Sequence, residues 1–234
     1  MDMYKNITEL KDTHKGQDIW IICAGGSMNY VNSDFFDNKI TIGVNQVYRH
    51  FPCDYLVMKD LKEDSRFNKS INELKDTKMK LLFSEFHAGH YSSGRNNPEY
   101  SDNFYMFNHM DNGNNKKPDG SLDLDCIGTD VMACVRSSIT SAMNIAAYMG
   151  ASNIIISGAD NGSVNGRKYY DGYMESHWVS SDNYGGITEW LGLIKDLNIE
   201  VRDRIKEVYG CNIYSLNPFW NFGLEGNNYE PFYD

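Results

Sequence analysis

The stretch at 153–160, Asn-Ile-Ile-Ile-Ser-Gly-Ala-Asp, constrains the fold most. Three successive isoleucines leave a strand no polar face, the pattern of a strand covered on both sides in a parallel sheet. Before it, Val135, Ile139, Met143, Ala146 and Met149 recur at three- and four-residue steps and predict a helix with one apolar face. Ser137 and Ser138 stand where a hydroxyl accepts a bond from an orphan N–H of the first turn. Gly150 stands where a left-handed residue ends a helix. Gly158, Ala159 and Asp160 then leave the strand at its carboxyl end, where open α/β sheets hold ligands. The stretch offers a ligand two groups. One is a hydroxylated helix N-terminus suited to phosphate, and the other is an acid at a strand tip.

The rest of the chain repeats the alternation. Apolar runs at 18–23, 39–44, 53–58, 79–84 and 211–216 predict strands, with a short one at 103–108. Helical patterns are expected at 1–15, from 28 to 36, at 61–77 and at 187–209. In the last of these Ile187, Leu191, Ile194, Val201, Ile205 and Val208 largely share a face. The expected class is α/β: a single Rossmann-like domain over 1–234 with a mostly parallel sheet and a loop-rich lid. Its irregular parts are an excursion at 85–125 and a loop at 161–186, rich in Gly, Asn, Ser and Tyr, placed to cover a substrate.

Three early strands run into polar groups: Gly25, Gly26 and Ser27 after the first, Asn45 after the second, Asp60 after the third. In a parallel sheet these ends lie along one edge and can converge on a ligand. The small-residue turn at 24–27 also has a purely steric reading, since tight βα turns use glycine for close approach. His87 and His90 are spaced like a metal pair, but no third ligand has motif spacing, so no metal site is expected.

Composition narrows the partners. The 32 acidic and 22 basic residues give a formal charge of −10, against the clustered Lys and Arg of a nucleic-acid footprint. Five cysteines at irregular spacing, with no CxxC, suit reduced thiols and a cytoplasmic location rather than a disulfide framework. No apolar run approaches the ~20 residues that span a bilayer. Any membrane association is therefore expected to be peripheral, through a partner or a lipid-linked substrate.

In blocks, the chain resembles the bacterial sialyltransferases that use CMP-sialic acid on a single Rossmann-type domain. It is also similar to their relatives, the motility-accessory-factor and 6-hydroxymethylpterin pyrophosphokinase-like proteins. The blocks are IICAGGS, VNQ after the second strand, YLVMKD, SSITSAMNIAAYMGASNIIISGAD with the following NGRKYY, and NIYSLNP. The resemblance implies a nucleotide held by Gly25, Ser27 and Asn45, with Ala24 in place of the family's asparagine and Gly26 in place of its proline. It implies Ser138 near the donor phosphate and Asp160 as the acid after the strand. Tyr169 would stabilise the departing phosphate, and His177 would be the general base. Asp60 replaces an asparagine and leans toward the pyrophosphokinase-like branch, where an acid holds Mg²⁺ or a ribose.

The function so implied is transfer from a nucleotide-activated sugar, CMP-sialic acid or a related CMP-nonulosonate, to a surface glycan acceptor. It requires no cofactor. The alternatives are a Mg²⁺-dependent diphosphokinase of the hydroxymethylpterin type and a non-catalytic nucleotide-binding protein. The resemblance, with the aromatic tail at 219–234, also points to a homo-oligomer.

Overall fold

Among the described residues, nine strands pair side by side, every strand pairing parallel, in a computed structural model of the chain. The structure describes residues 5–58, 73–74, 77–85, 101–111, 116–160, 164, 167, 169–173 and 187–216. In chain order the strands are β1 (Lys5–Asn6), β2 (Asp18–Ile22), β3 (Ile40–Val44), β4 (Tyr55–Met58), β5 (Lys80–Glu85), β6 (Phe104–Asp111), β7 (Val131–Cys134), β8 (Asn153–Ser157) and β9 (Asn212–Ser215). The sheet is accompanied by helices α1 (Ser138–Tyr148) and α2 (Ile187–Tyr209).

Strand order across the sheet is β1-β6-β5-β4-β3-β2-β8-β9, with β7 pairing on β6. The chain thus builds outward from β2 to β6, then returns to the other side of β2 with β8 and β9. That reversal is a topological switch point, and it lies between β2 and β8. Ile19 faces Ile154 and Ile21 faces Ile156 in register. Side chains alternate between the faces. Ile19, Ile21, Ile154 and Ile156 join the core under α1 and α2, while Ile22 packs with Met28, Phe36, Val47 and Phe51 on the opposite face.

Helix α1 explains why the middle of the sequence is so rich in small and apolar residues. Every side chain from Ile139 to Tyr148 is buried. A helix enclosed all round must be apolar all round, or must satisfy its polar groups internally. Here the polar ones serve β7 and the residue after it; among the described residues, β7 has β6 as its one strand neighbour. The Ala133 N–H donates to Asn144 Oδ1 at 2.8 Å, Ser141 Oγ donates to the Ala133 carbonyl at 3.1 Å, and the Val135 N–H donates to Thr140 Oγ1 at 2.9 Å. Helix side chains therefore take the place of a neighbouring strand. At the far end, the Asp12, His14 and Gly16 N–H groups bond the carbonyls of Tyr148, Met149 and Gly150. These would otherwise be the orphan acceptors of a helix C-terminus.

Several expectations change. The helix predicted at 1–15 is instead β1 followed by a 3-10 turn at Ile7–Leu10. Residues 28–36 form parts of two 3-10 turns, Gly26–Tyr30 and Ser33–Phe36, not one α-helix. The strand expected at 103–108 is longer and lies inside the 85–125 excursion as β6, and the lead-in to α1 contains β7. Among the described residues, no helix is long and apolar enough to cross a membrane.

Candidate functional site

At the switch point, β2 and β8 continue to pair past their ends. The Cys23 N–H donates to the Ser157 carbonyl and the Gly25 N–H to the Gly158 carbonyl, both at 2.8 Å. Asp160, buried to 2% exposure, follows two residues later. Its carboxylate accepts from the Ser27 N–H at 2.7 Å and from Ser27 Oγ at 2.5 Å. The acid at the strand tip thus caps the Gly26–Tyr30 turn. It also lies against Cys23, whose thiol is pushed up first by burial and then by the Asp160 charge.

The glycines are required by the protein's own chain. A Cβ on Gly25 would stand 2.4 Å from Asp160 Oδ2, and one on Gly26 would stand 2.1 Å from the Arg167 carbonyl oxygen. The described residues between 164 and 173 form a strap over the turn. Gly25 and Tyr169 make an antiparallel bridge, and the Tyr170 N–H donates to the Ala24 carbonyl at 3.1 Å. Asn29 staples the strap down. Its Nδ2 donates to the Gly26 and Tyr169 carbonyls at 3.0 and 3.4 Å, and its Oδ1 accepts the Asp171 N–H at 2.7 Å. Tyr169 stacks on Tyr173 with centroids 5.2 Å apart. Tyr170 is buried against His50 and Phe51, and desolvation pushes its hydroxyl up to about 12.

Three predicted groups thus converge: Gly25, Gly26 and Ser27 after β2, Gly158 and Asp160 after β8, and Tyr169 on the strap. Asn45 follows β3, the next strand across, in a left-handed conformation with φ 57°. It opens a 3-10 turn at Asn45–Arg49. Ser137 is the cap of α1, its side chain accepting from the Ile139 N–H at 3.4 Å, with Ser138 half-buried in the first turn. A helix that leads into a parallel strand ends at the amino edge of the sheet, so the first turn of α1 faces the carboxyl edge. His177 and Asp60 lie outside the described residues, as do His87 and His90. Among the described residues, no three His, Cys, Asp or Glu side chains gather to hold a metal ion.

Two further groups at this edge are not among the predicted site residues, although Gln46 belongs to the VNQ block. Among the described residues, Gln46, 4% exposed, has an Oε1 with no hydrogen-bond partner, and Ser157, 2% exposed, has an Oγ with none. They follow β3 and end β8, the strands on either side of β2. At ordinary spacing those strands are roughly 10 Å apart. A buried polar atom without a partner costs about 1–3 kcal/mol. Two such atoms flanking the switch point are groups that a bound molecule can satisfy. Their sequence signal was slight: a Gln after a strand, and a Ser at the end of an apolar run.

No protein-family model, curated protein or solved structure matches the chain.

Proposed function

We propose that this chain is a glycosyltransferase that takes a CMP-linked sugar, a sialic acid or related nonulosonate, and transfers it to a surface glycan. The observation that carries the nucleotide site is the pair of unsatisfied buried acceptors, Gln46 Oε1 and Ser157 Oγ, on either side of β2 at the switch point. The CMP specificity and the transfer reaction rest on the resemblance alone. In this reading the nucleotide lies across the carboxyl ends of β3, β2 and β8. The first turn of α1 meets the phosphate with the positive end of the helix dipole and the Ser138 hydroxyl. Tyr169 on the strap adds a hydroxyl to the charge that develops on the leaving phosphate. A monophosphate leaving group carries little enough charge for these donors to serve without a metal ion.

Nucleotide binding without turnover is a second reading, favoured by one observation. The Gly25 and Ser27 N–H groups are already bonded to Gly158 and Asp160, so the turn after β2 has few donors left for a phosphate. The Mg²⁺-dependent diphosphokinase reading rests on Asp60.

A thermal-shift panel of CMP, CDP, UDP and ATP, with and without Mg²⁺, separates the three. Ligand at a hundred times its Kd adds about 2.7 kcal/mol, roughly 5–10 °C in Tm for a chain of this size. A shift with CMP that ignores Mg²⁺ is expected. A shift with ATP that requires Mg²⁺ contradicts the transferase and favours the kinase. CMP binding with no turnover of any CMP-sugar leaves the second reading.

A further inference from the structure

Helix α2 carries an amide where its buried stripe calls for an apolar side chain. Ile194, Leu197, Val201 and Ile205 lie in the main core, and Asn198 sits among them at 0% exposure. Among the described residues, neither its Oδ1 nor its Nδ2 has a hydrogen-bond partner. Each such atom costs about 1–3 kcal/mol, and a leucine in the same place would carry neither cost. Both atoms are groups that a bound molecule can satisfy.

The position of Asn198 along α2 brings it to the first turn of α1. The two helices pack together and lead into the parallel strands β8 and β9, so they run in the same direction. Toward their far ends the Tyr209 side chain of α2 reaches Asn144 of α1. At about 1.5 Å a residue, Asn198 stands roughly 16 Å back along α2 from Tyr209, and Ser138 roughly 9 Å back along α1 from Asn144. The Tyr209 side chain points toward the start of its own helix and spans most of the difference. Asn198 is therefore level with Ser138, at the carboxyl edge. Helix α1 packs over β2, β3 and β4, and α2 over β9. A donor with its nucleoside over β3 and β2 and its phosphate at Ser138 carries its sugar onward, toward α2.

We propose that Asn198 reads the sugar of the donor and selects one that carries an acylamino group, an inference that rests on the transferase reading. The amide offers a donor and an acceptor side by side. A phosphate or carboxylate accepts from Nδ2 and leaves Oδ1 bare. An acylamino group supplies both partners, its N–H donating to Oδ1 and its carbonyl accepting from Nδ2. A deaminated sugar has a single hydroxyl oxygen there, which meets both atoms only at strained angles. A site built around such a pair discriminates against the analogue that cannot complete it.

The test measures the calorimetric affinity of the full chain, without acceptor, for three probes. They are CMP, CMP-N-acetylneuraminic acid and the deaminated CMP-sugar in which a hydroxyl replaces the acylamino group. Wild type is expected to bind the acylamino donor about tenfold or more tighter than the deaminated one, the loss of one buried hydrogen bond at about 1.4 kcal/mol. Asn198→Leu is expected to hold CMP within about threefold of wild type and to lose the preference between the two donors. A variant that keeps the preference overturns the proposal, as does a wild type that binds both donors equally; the nucleotide site stands in either case. A wild type that binds CMP but neither donor contradicts the transferase reading and takes the proposal with it. Should Asn198→Leu fail to fold, the side-chain amide of Asn198 in the wild type decides by NMR. Its Nδ2 protons are expected to shift with CMP-N-acetylneuraminic acid and to stay in place with CMP alone. Protons that move equally with both, or with neither, overturn the proposal.

Discussion

Asp160 gives both carboxylate oxygens to Ser27, so a change there acts first on the fold. Asp160→Ala leaves the Ser27 N–H without its acceptor. It is expected to lower stability by about 1.5–3 kcal/mol, the scale of a lost bond to a charged group, as measured by denaturant unfolding. Gly26→Ala drives a Cβ into the Arg167 carbonyl. It should cost about 1–3 kcal/mol as an overpacked contact and make the strap easier for a protease to cut. A third residue-scale prediction concerns pH. Burial, then the Asp18 charge, pushes the Cys211 thiol up from 9.0 to about 12. Between those values the folded chain keeps a proton that the unfolded chain has given up. Stability is therefore fully present below pH 9 and lost as pH rises toward 12. Tm measured across that window should fall less steeply in Cys211→Ala than in the wild type. The turn at 24–27 was legible in the sequence as a place of close approach. What approaches it was not, because Asp160, Arg167 and Tyr169 lie more than 130 residues further along the chain.

At the scale of elements, α1 joins fold to site. Its N-cap at Ser137 and its end near Gly150 followed from hydroxyl and glycine placement, and the structure agrees at both ends, with Gly150 left-handed at φ 91°. The sense of its polar residues did not follow. Thr140, Ser141 and Asn144 sit in a helix whose apolar stripe was legible, yet they bond to β7, a strand of four residues too short to stand out by period, and to Val135 just after it. Asn144→Leu keeps the helix and removes the acceptor for the Ala133 N–H. It is expected to cost about 1–3 kcal/mol and to speed hydrogen exchange at the Ala133 amide specifically. An unchanged exchange rate at that amide would show that β7 does not depend on the helix for its edge.

At the scale of the whole molecule, the parallel sheet was legible because β2, β3, β4, β5, β8 and β9 are apolar runs bounded by polar turns. Strand order was not, since nothing local says that β8 returns beside β2. It is that return which brings Asp160 to Ser27 and sets Gln46 and Ser157 on either side of β2. The central claim is that these unsatisfied groups belong to a nucleotide site. The measurement that tests it most directly is the calorimetric affinity for CMP of Gln46→Leu beside the wild type, with Tm of both. Removing a buried acceptor that lacks a partner should raise Tm in either case. If the acceptor serves the nucleotide, the same change weakens CMP binding by about tenfold or more, the loss of one buried hydrogen bond at about 1.4 kcal/mol. A more stable variant that binds CMP as tightly as the wild type contradicts the claim, as does a wild type that binds no CMP.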